Sequence, residues 1–155
     1  MSKRQFRNGV PEASGYDLWM TPPEVLDPLR EEFGELFDPC PADWPGAPDG
    51  LAIDWPTHQV CFVNPPYSQI AAWCAKCAEQ WRRGCTVVLL MAARTDTRYF
   101  HDNINGNAEV RFLKGRVKFV HPDGRKSESA PFPSILCVFR GKGRGRGDQT
   151  ARGEA

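Results

Sequence analysis

Asn64, Pro65, Pro66 and Tyr67 stand directly behind the apolar run 60–63 in the stretch "VCFVNPPYSQI", and these four residue types suit one kind of chemistry. A residue that precedes proline is pushed toward extended backbone, so Asn64 and Pro65 are both restricted. Neither proline carries an N–H, and the loop therefore presents fixed carbonyl acceptors and few donors. The Asn64 side-chain oxygen and the Pro65 carbonyl can together accept both hydrogens of one planar NH₂ group. Tyr67 adds an aromatic face for a flat ring, a contact worth about 1–3 kcal/mol for a nucleic-acid base. An exocyclic amine on an aromatic ring is a poor nucleophile because its lone pair is conjugated. Two acceptors gripping its hydrogens favour localising that pair and stabilise the positive charge that develops on nitrogen during attack on an electrophile. The segment points to alkylation of an amino group by orientation and electrostatics, with no tuned acid or base in it. The plain structural alternative is a rigid turn in which Tyr67 covers the core.

Such a loop has to be held by the elements around it. "TPPEVLDPLREEFG" predicts a helix capped by Thr21, with prolines in its first turn, Leu26, Leu29 and Phe33 at helical spacing and Gly34 as its stop; Pro28 opposes it. "ELFDPC" reads as a short strand running into a turn, and "PADWPGAPDG" as a loop. "HQVCFV" is a buried strand, "SQIAAWCAKCAEQWRRG" a helix capped by Ser68 and ended by Gly84, and "CTVVLLMAA" the clearest strand. "TDTRYFHDNIN" is a helix that starts with a cap. "AEVRFL", "RVKFV" and "SILCVF" are three further strands, the last two separated by "HPDGRK" with its Asp-Gly turn signal. Strands alternating with helices, followed by strands alone, indicate an α/β sheet, mostly parallel with an antiparallel edge. Ligands of such sheets bind at the carboxyl ends of the strands, where Asn64 to Tyr67 fall.

At 155 residues the chain is one domain, 17–140, between a polar segment 1–16 expected to be flexible and a basic, low-complexity tail 141–155. The net charge of +1 hides basic ends (Lys3, Arg4 and Arg7; Arg140, Lys142, Arg144 and Arg146) that suit an anionic partner, although solvated tails look the same. Six cysteines without a signal peptide, several inside apolar segments, read as reduced and buried in an intracellular protein. Cys74 and Cys77 have metal-ligand spacing but no second pair follows, so they are read as one face of a buried helix and no metal is expected. No apolar run is long enough to span a bilayer, so a soluble protein is expected. His58, His101 and His121 form no ligand or catalytic pattern.

Taken in order, "DLWMTPPEVLDPLREEFG", "FDPCPAD", "DGLAIDW", "FVNPPYS", "LLMAARTDTRYF" and "GRVKF" resemble the phage-type DNA N6-adenine methyltransferases, the Dam-like group of NPPY-motif amino methyltransferases. The resemblance covers roughly 17–139. It implies a compact Rossmann-like methyltransferase fold, S-adenosylmethionine as cofactor, DNA as partner and the cytoplasm of a bacterial cell or phage-infected host as location. Asn64, Pro65, Pro66 and Tyr67 would hold the amino group and ring of a flipped adenine. Asp38, with Pro39 and Cys40, would face the methionine amino end of the cofactor. Trp19, Thr21 and Pro22 would close over its methionine part, and Asp54 would meet its adenine. The acid for the cofactor's ribose is Asp43 or Asp49. The usual glycine-rich form of the first motif is absent, and the interval from Asp38 to Asn64 is short for two strand-helix units.

Each further residue has a bland counterpart. Asp38 could simply cap the next turn. Arg94, Asp96 and Arg98 follow the best strand and could line the substrate mouth, or begin a helix with Asp96 at its dipole. Arg116, Lys118, Arg125 and Lys126 could contact phosphates or make a solvated strand face. Two other functions stay open: a methyltransferase acting on RNA or on a protein glutamine, and a nucleic-acid binding protein whose methyltransferase site has decayed. A homo-oligomer is compatible with all of them.

Overall fold

The computed structural model describes residues 20–41, 49–120 and 128–142. Trp19, Asp43, Trp44, Arg125 and Lys126, the segment 1–16 and nearly all of the basic tail lie outside these described residues. The elements, in chain order, are α1 (Pro23–Phe33), β1 (Leu36–Phe37), β2 (Val60–Val63), a 3-10 turn (Tyr67–Gln69), α2 (Ile70–Arg82), β3 (Val87–Ala92), α3 (Arg98–Asn103), β4 (Glu109–Phe112), β5 (Lys118–Phe119), β6 (Glu128–Ser129) and β7 (Ser134–Phe139).

Five strands form an open sheet in the order β1-β2-β3-β7-β4. The β1–β2 and β2–β3 pairings are parallel, while β7 runs antiparallel to both β3 and β4. Four strands therefore point the same way, and Asp38, Asn64, Ala93 and Leu113, which follow them, share one edge of the sheet. Alternation along the strands separates two apolar layers. Cys61, Val63, Leu89, Met91, Ile135 and Cys137 pack with α2 and α3 through Trp73, Cys77 and Phe100. Val60, Phe62, Val88, Leu90, Leu136 and Val138 pack with α1 through Leu29 and Phe33, and with Val117, Phe119 and Ala130 around the β5–β6 ribbon.

The expected hairpin of "RVKFV" with "SILCVF" does not form. β5 pairs with β6 in a separate two-stranded sheet, and β7 enters the main sheet between β3 and β4. The reason is hydrophobic: all six residues of β7 are buried, so this strand needs cover on both faces, which only a central position supplies. In β5 an exposed Lys118 precedes a buried Phe119, a pattern that suits a one-sided ribbon.

Two helix caps also differ from expectation. Pro22, not Thr21, precedes α1, and its carbonyl accepts from the Val25 and Leu26 N–H groups. Thr21 sits one residue too early to reach the first-turn donors. The α2 helix starts after Gln69 without a side-chain cap, because Ser68 is taken up in the preceding 3-10 turn. Thr97 does cap α3, accepting from the Phe100 N–H at 3.3 Å.

All six cysteines are buried. Burial pushes the thiols of Cys74 and Cys137 up to about 12, so these thiols stay neutral and serve as packing groups. At the surface, Arg111 grips Glu32 through two 2.7 Å hydrogen bonds and Glu109 at 2.9 Å, clasping the end of α1 to β4. The Arg111 hydrogen bond holds the Glu32 carboxyl below its ordinary range.

Gln80 is fully buried near the end of α2. Its Oε1 accepts from the Trp55 N–H at 2.8 Å and from Arg83 at 2.7 Å. Gln80→Leu strands the Trp55 donor in the core and is expected to cost about 2–3 kcal/mol. Thermal unfolding followed by circular dichroism should then shift down by roughly 5–10 °C.

Candidate active site

The residues at the carboxyl edge of the sheet line two cavities separated by the NPPY loop. The first, about 220 Å³, is lined by Met20, Thr21, Leu26, Arg30, Leu36, Asp38, Cys40, Phe62 and Asn64. The second, about 430 Å³, is lined by Tyr67, Ile70, Ala92, Arg94, Tyr99, Pro131 and Phe132. The loop reaches both because Pro65 and Pro66 keep it extended: Pro66 has φ −64° and ψ 133°. Asn64 thus opens on one side and Tyr67 on the other, with the two prolines buried between them.

In the first cavity the Asn64 side chain is held from α1's approach. Its Nδ2 donates to Thr21 Oγ1 at 2.9 Å. With the amide nitrogen committed in this way, the Oδ1 atom is the group the side chain can offer as an acceptor. Asp38 accepts the Cys40 N–H at 2.8 Å through Oδ1, so the turn-capping role considered above is real. The same carboxylate also lines the cavity, which makes the two roles compatible. Beside this turn the backbone approaches closely at Gly50, where a Cβ would lie 2.1 Å from the Pro39 carbonyl oxygen and 2.8 Å from the Trp73 ring. A glycine is needed there, and it comes from the segment before β2.

In the second cavity Tyr67 meets Phe132 edge to face, with centroids 5.1 Å apart and planes at 81°. The Arg94 guanidinium lies over the Phe132 ring at 5.8 Å, an arrangement that brings positive charge to an aromatic wall. Arg98 is exposed at the start of α3. Arg116 and Lys118 line a third hollow of about 540 Å³, together with Pro22, Lys114 and the first turn of α1.

The structure thus gathers Thr21, Asp38, Cys40 and Asn64 in one cavity and Tyr67 with Arg94 in the other. Pro22 belongs to the third hollow, and Pro39 is buried with its carbonyl oxygen close to Gly50. Asp54 is not brought to this edge. Its carboxylate accepts from Gln80 at 3.2 Å and pairs with Arg83 at 3.6 Å, near the end of α2 and before β2, where the opposite edge of the sheet lies. Its order in the sequence beside Trp55 hid this, because the chain still has to cross the whole sheet through β2 before it reaches Asn64. Asp49 accepts the Leu51 N–H at 3.0 Å.

Arg30, Tyr99, Lys114 and Phe132 escaped sequence reasoning. Arg30 lies on the outward side of an amphipathic helix, and Phe132 in "APFPS" reads as an ordinary loop residue. The signal for Phe132 was its place just before β7, which runs against its neighbours and so starts at the edge where they end. Among the described residues, no group of three or more His, Cys, Asp or Glu could hold a metal ion, and no helix is long and apolar enough to cross a membrane.

A family model described as DNA N-6-adenine-methyltransferase (Dam) matches residues 10–148. A DNA N-6-adenine-methyltransferase of Escherichia phage T1 is 22% identical over 175 aligned residues, which cover 97% of this chain and 74% of that relative. The family match runs through both cavities and the loop between them, and the chain therefore belongs to the DNA N-6-adenine-methyltransferase (Dam) family.

Proposed function

We propose that the protein transfers a methyl group from S-adenosylmethionine to the N6 amino group of adenine in DNA, within a compact Rossmann-like methyltransferase domain spanning 17–140. The observation that carries this reading is the NPPY loop standing as a wall between two cavities, Asn64 lining one and Tyr67 the other. A donor on one side and an acceptor ring on the other then meet at Asn64.

The donor set of the first cavity fits the amino-acid end of the cofactor. The Asp38 carboxylate suits an ammonium, and the Arg30 guanidinium suits a carboxylate. S-adenosylmethionine supplies, when bound, an electrophilic methyl group. The volume of about 220 Å³ suits the compact end of such a molecule, below the 300–1,000 Å³ of complete ligand pockets.

The chain's own residues do the rest by positioning. Thr21 holds the Asn64 amide so that Oδ1 accepts one hydrogen of the adenine amino group, and the Pro65 carbonyl accepts the other. Both oxygens stabilise the positive charge that grows on nitrogen during attack. Tyr67 stacks on the flipped base, with Phe132 and Arg94 in the same pocket. Flipping costs a few kcal/mol, offset by that stacking and by phosphate contacts from Arg94, Arg98, Arg116 and Lys118. Thr21→Val, nearly the same shape without the hydroxyl, is expected to lower kcat roughly 3–10-fold through loosened aim of Asn64. Steady-state kinetics on duplex DNA checks this.

Incubation with methyl-labelled cofactor and unmethylated duplex DNA, followed by nucleoside analysis, tests the proposal. Label in N6-methyladenine is the expected result. Label appearing only in RNA or protein would reassign the acceptor, and absence of cofactor binding would favour a binding protein with a decayed site.

A further inference from the structure

Phe112 is the single large apolar side chain standing out among the described residues, 79% exposed at the end of the edge strand β4. Its place is set by the sheet. Phe112 and Met91 both pair with Ile135 across β7, and Leu89 pairs with Val63. Phe112 therefore sits level with the position two residues beyond Val63, which is Pro65 in the NPPY loop. Three strand spacings of about 4.8 Å separate them, roughly 14 Å along the reactive edge. That is close to four base steps of a duplex at about 3.4 Å each.

Cations follow Phe112 in the chain and gather on the α1 side of the sheet. Exposed Lys114 and Arg116 follow it in the loop after β4, Lys118 lies in β5, and all three line the same hollow against α1. The end of the edge strand thus presents an exposed apolar ring on one face and cations toward the other, a combination complementary to the base stack of a nucleic acid and its phosphates. Chain continuity explains why the ring is uncovered: Val110 and Ile135, on the same face of the sheet, lie in the layer under α2 and α3, and Phe112 lies past the last packed residue of β4.

Resting on the reading of the site given above, we propose that Phe112 is a wedge that enters the base stack of duplex DNA within about four steps of the flipped adenine, while Lys114 and Arg116 hold the adjoining phosphates. Apolar wedges of this kind unstack a step and bend the duplex, which makes extrusion of a nearby base less costly. Phe112 then acts in duplex capture and positioning, and touches neither the methyl donor nor the target amino group.

The test compares wild type, Phe112→Ala and Phe112→Trp on unmethylated duplex DNA, once sequencing of the methylated product has located the modified adenine. Phe112→Ala is expected to raise KM for duplex DNA about 10–100-fold, with cofactor affinity within about twofold of wild type. The dependence of KM on salt should keep its slope, because no charge is removed, and Phe112→Trp should restore most of the loss. Duplexes carrying 2-aminopurine at each of the four positions on either side of that adenine should brighten at one position with wild type and not with Phe112→Ala. An Ala variant with unchanged KM and unchanged fluorescence at every position overturns the wedge. So does a wild-type dimer that the same substitution dissociates without altering KM, since the ring would then cover a second copy. If wild type transfers no methyl group to DNA, the reading of the catalytic site falls instead, and the two failures are separable.

Discussion

Asn64→Ala should lower kcat on duplex DNA by about 10²–10³-fold while the affinity for S-adenosylmethionine changes less than about threefold. The size follows from what the side chain does. In the proposed reaction it faces charge that exists on the amino nitrogen only as the methyl group is transferred, and loss of one preoriented polar group of this sort costs about that much. The small effect on the cofactor follows from the geometry. Asn64 is fixed by Thr21 at 2.9 Å, and the proposed reaction uses its carbonyl oxygen on the acceptor amino group, whereas Asp38 and Arg30 remain as the charged groups of the cavity proposed for the cofactor. Single-turnover rates with labelled cofactor, alongside calorimetric binding, separate the two quantities. Retention of near wild-type turnover would remove Asn64 from the chemistry and leave the loop as a structural turn.

The second large effect concerns Asp38, whose carboxylate both caps a turn and lines the cavity. Asp38→Asn keeps an oxygen that can accept the Cys40 N–H, now seen at 2.8 Å, and removes only the charge. The fold is therefore expected to stay intact, with an unfolding midpoint within about 2 °C of wild type. Cofactor affinity should fall roughly 10–100-fold, the loss of one hydrogen bond between charged partners. A variant that folds normally and binds the cofactor as tightly as wild type would reduce Asp38 to its capping role. Asp38→Ala is the less informative change, because it removes both functions together.

Both experiments depend on one edge of the sheet, and the architecture accounts for that edge. The parallel strands β1, β2 and β3 deliver Asp38, Asn64 and Arg94 to it from their carboxyl ends. The opposed strand β7 delivers Phe132 to it from its start. A fully parallel arrangement would place the segment before β7 at the far side, and the wall of the Tyr67 cavity would be missing. The reversal of a single central strand is thus part of how the second cavity is made.

The features legible in the sequence were those that a short window of chain determines. A continuous apolar run reads as a buried strand because nothing along it can face water, and β2 and β3 follow that rule. The NPPY loop was legible because proline restricts its own φ and the conformation of the residue before it without reference to any partner. Helices α1, α2 and α3 followed from spacing, cap residues and terminal glycines, although α1 keeps Pro28 inside it and two of the expected caps went to other uses. The tertiary structure decided what depends on distant partners. Thr21 meets Asn64 across 43 residues of chain, and neither residue signals the other locally. Asp54 looked like a site residue by order in the chain, but α2 returns to the opposite edge and takes it up there through Gln80 and Arg83. The neighbours of β7 were misread because an Asp-Gly turn is a local signal, whereas burial on both faces is satisfied only when the whole sheet assembles around the strand. Chemistry written into one loop is local; the cavities on either side of it exist only because strands remote in sequence end at the same edge.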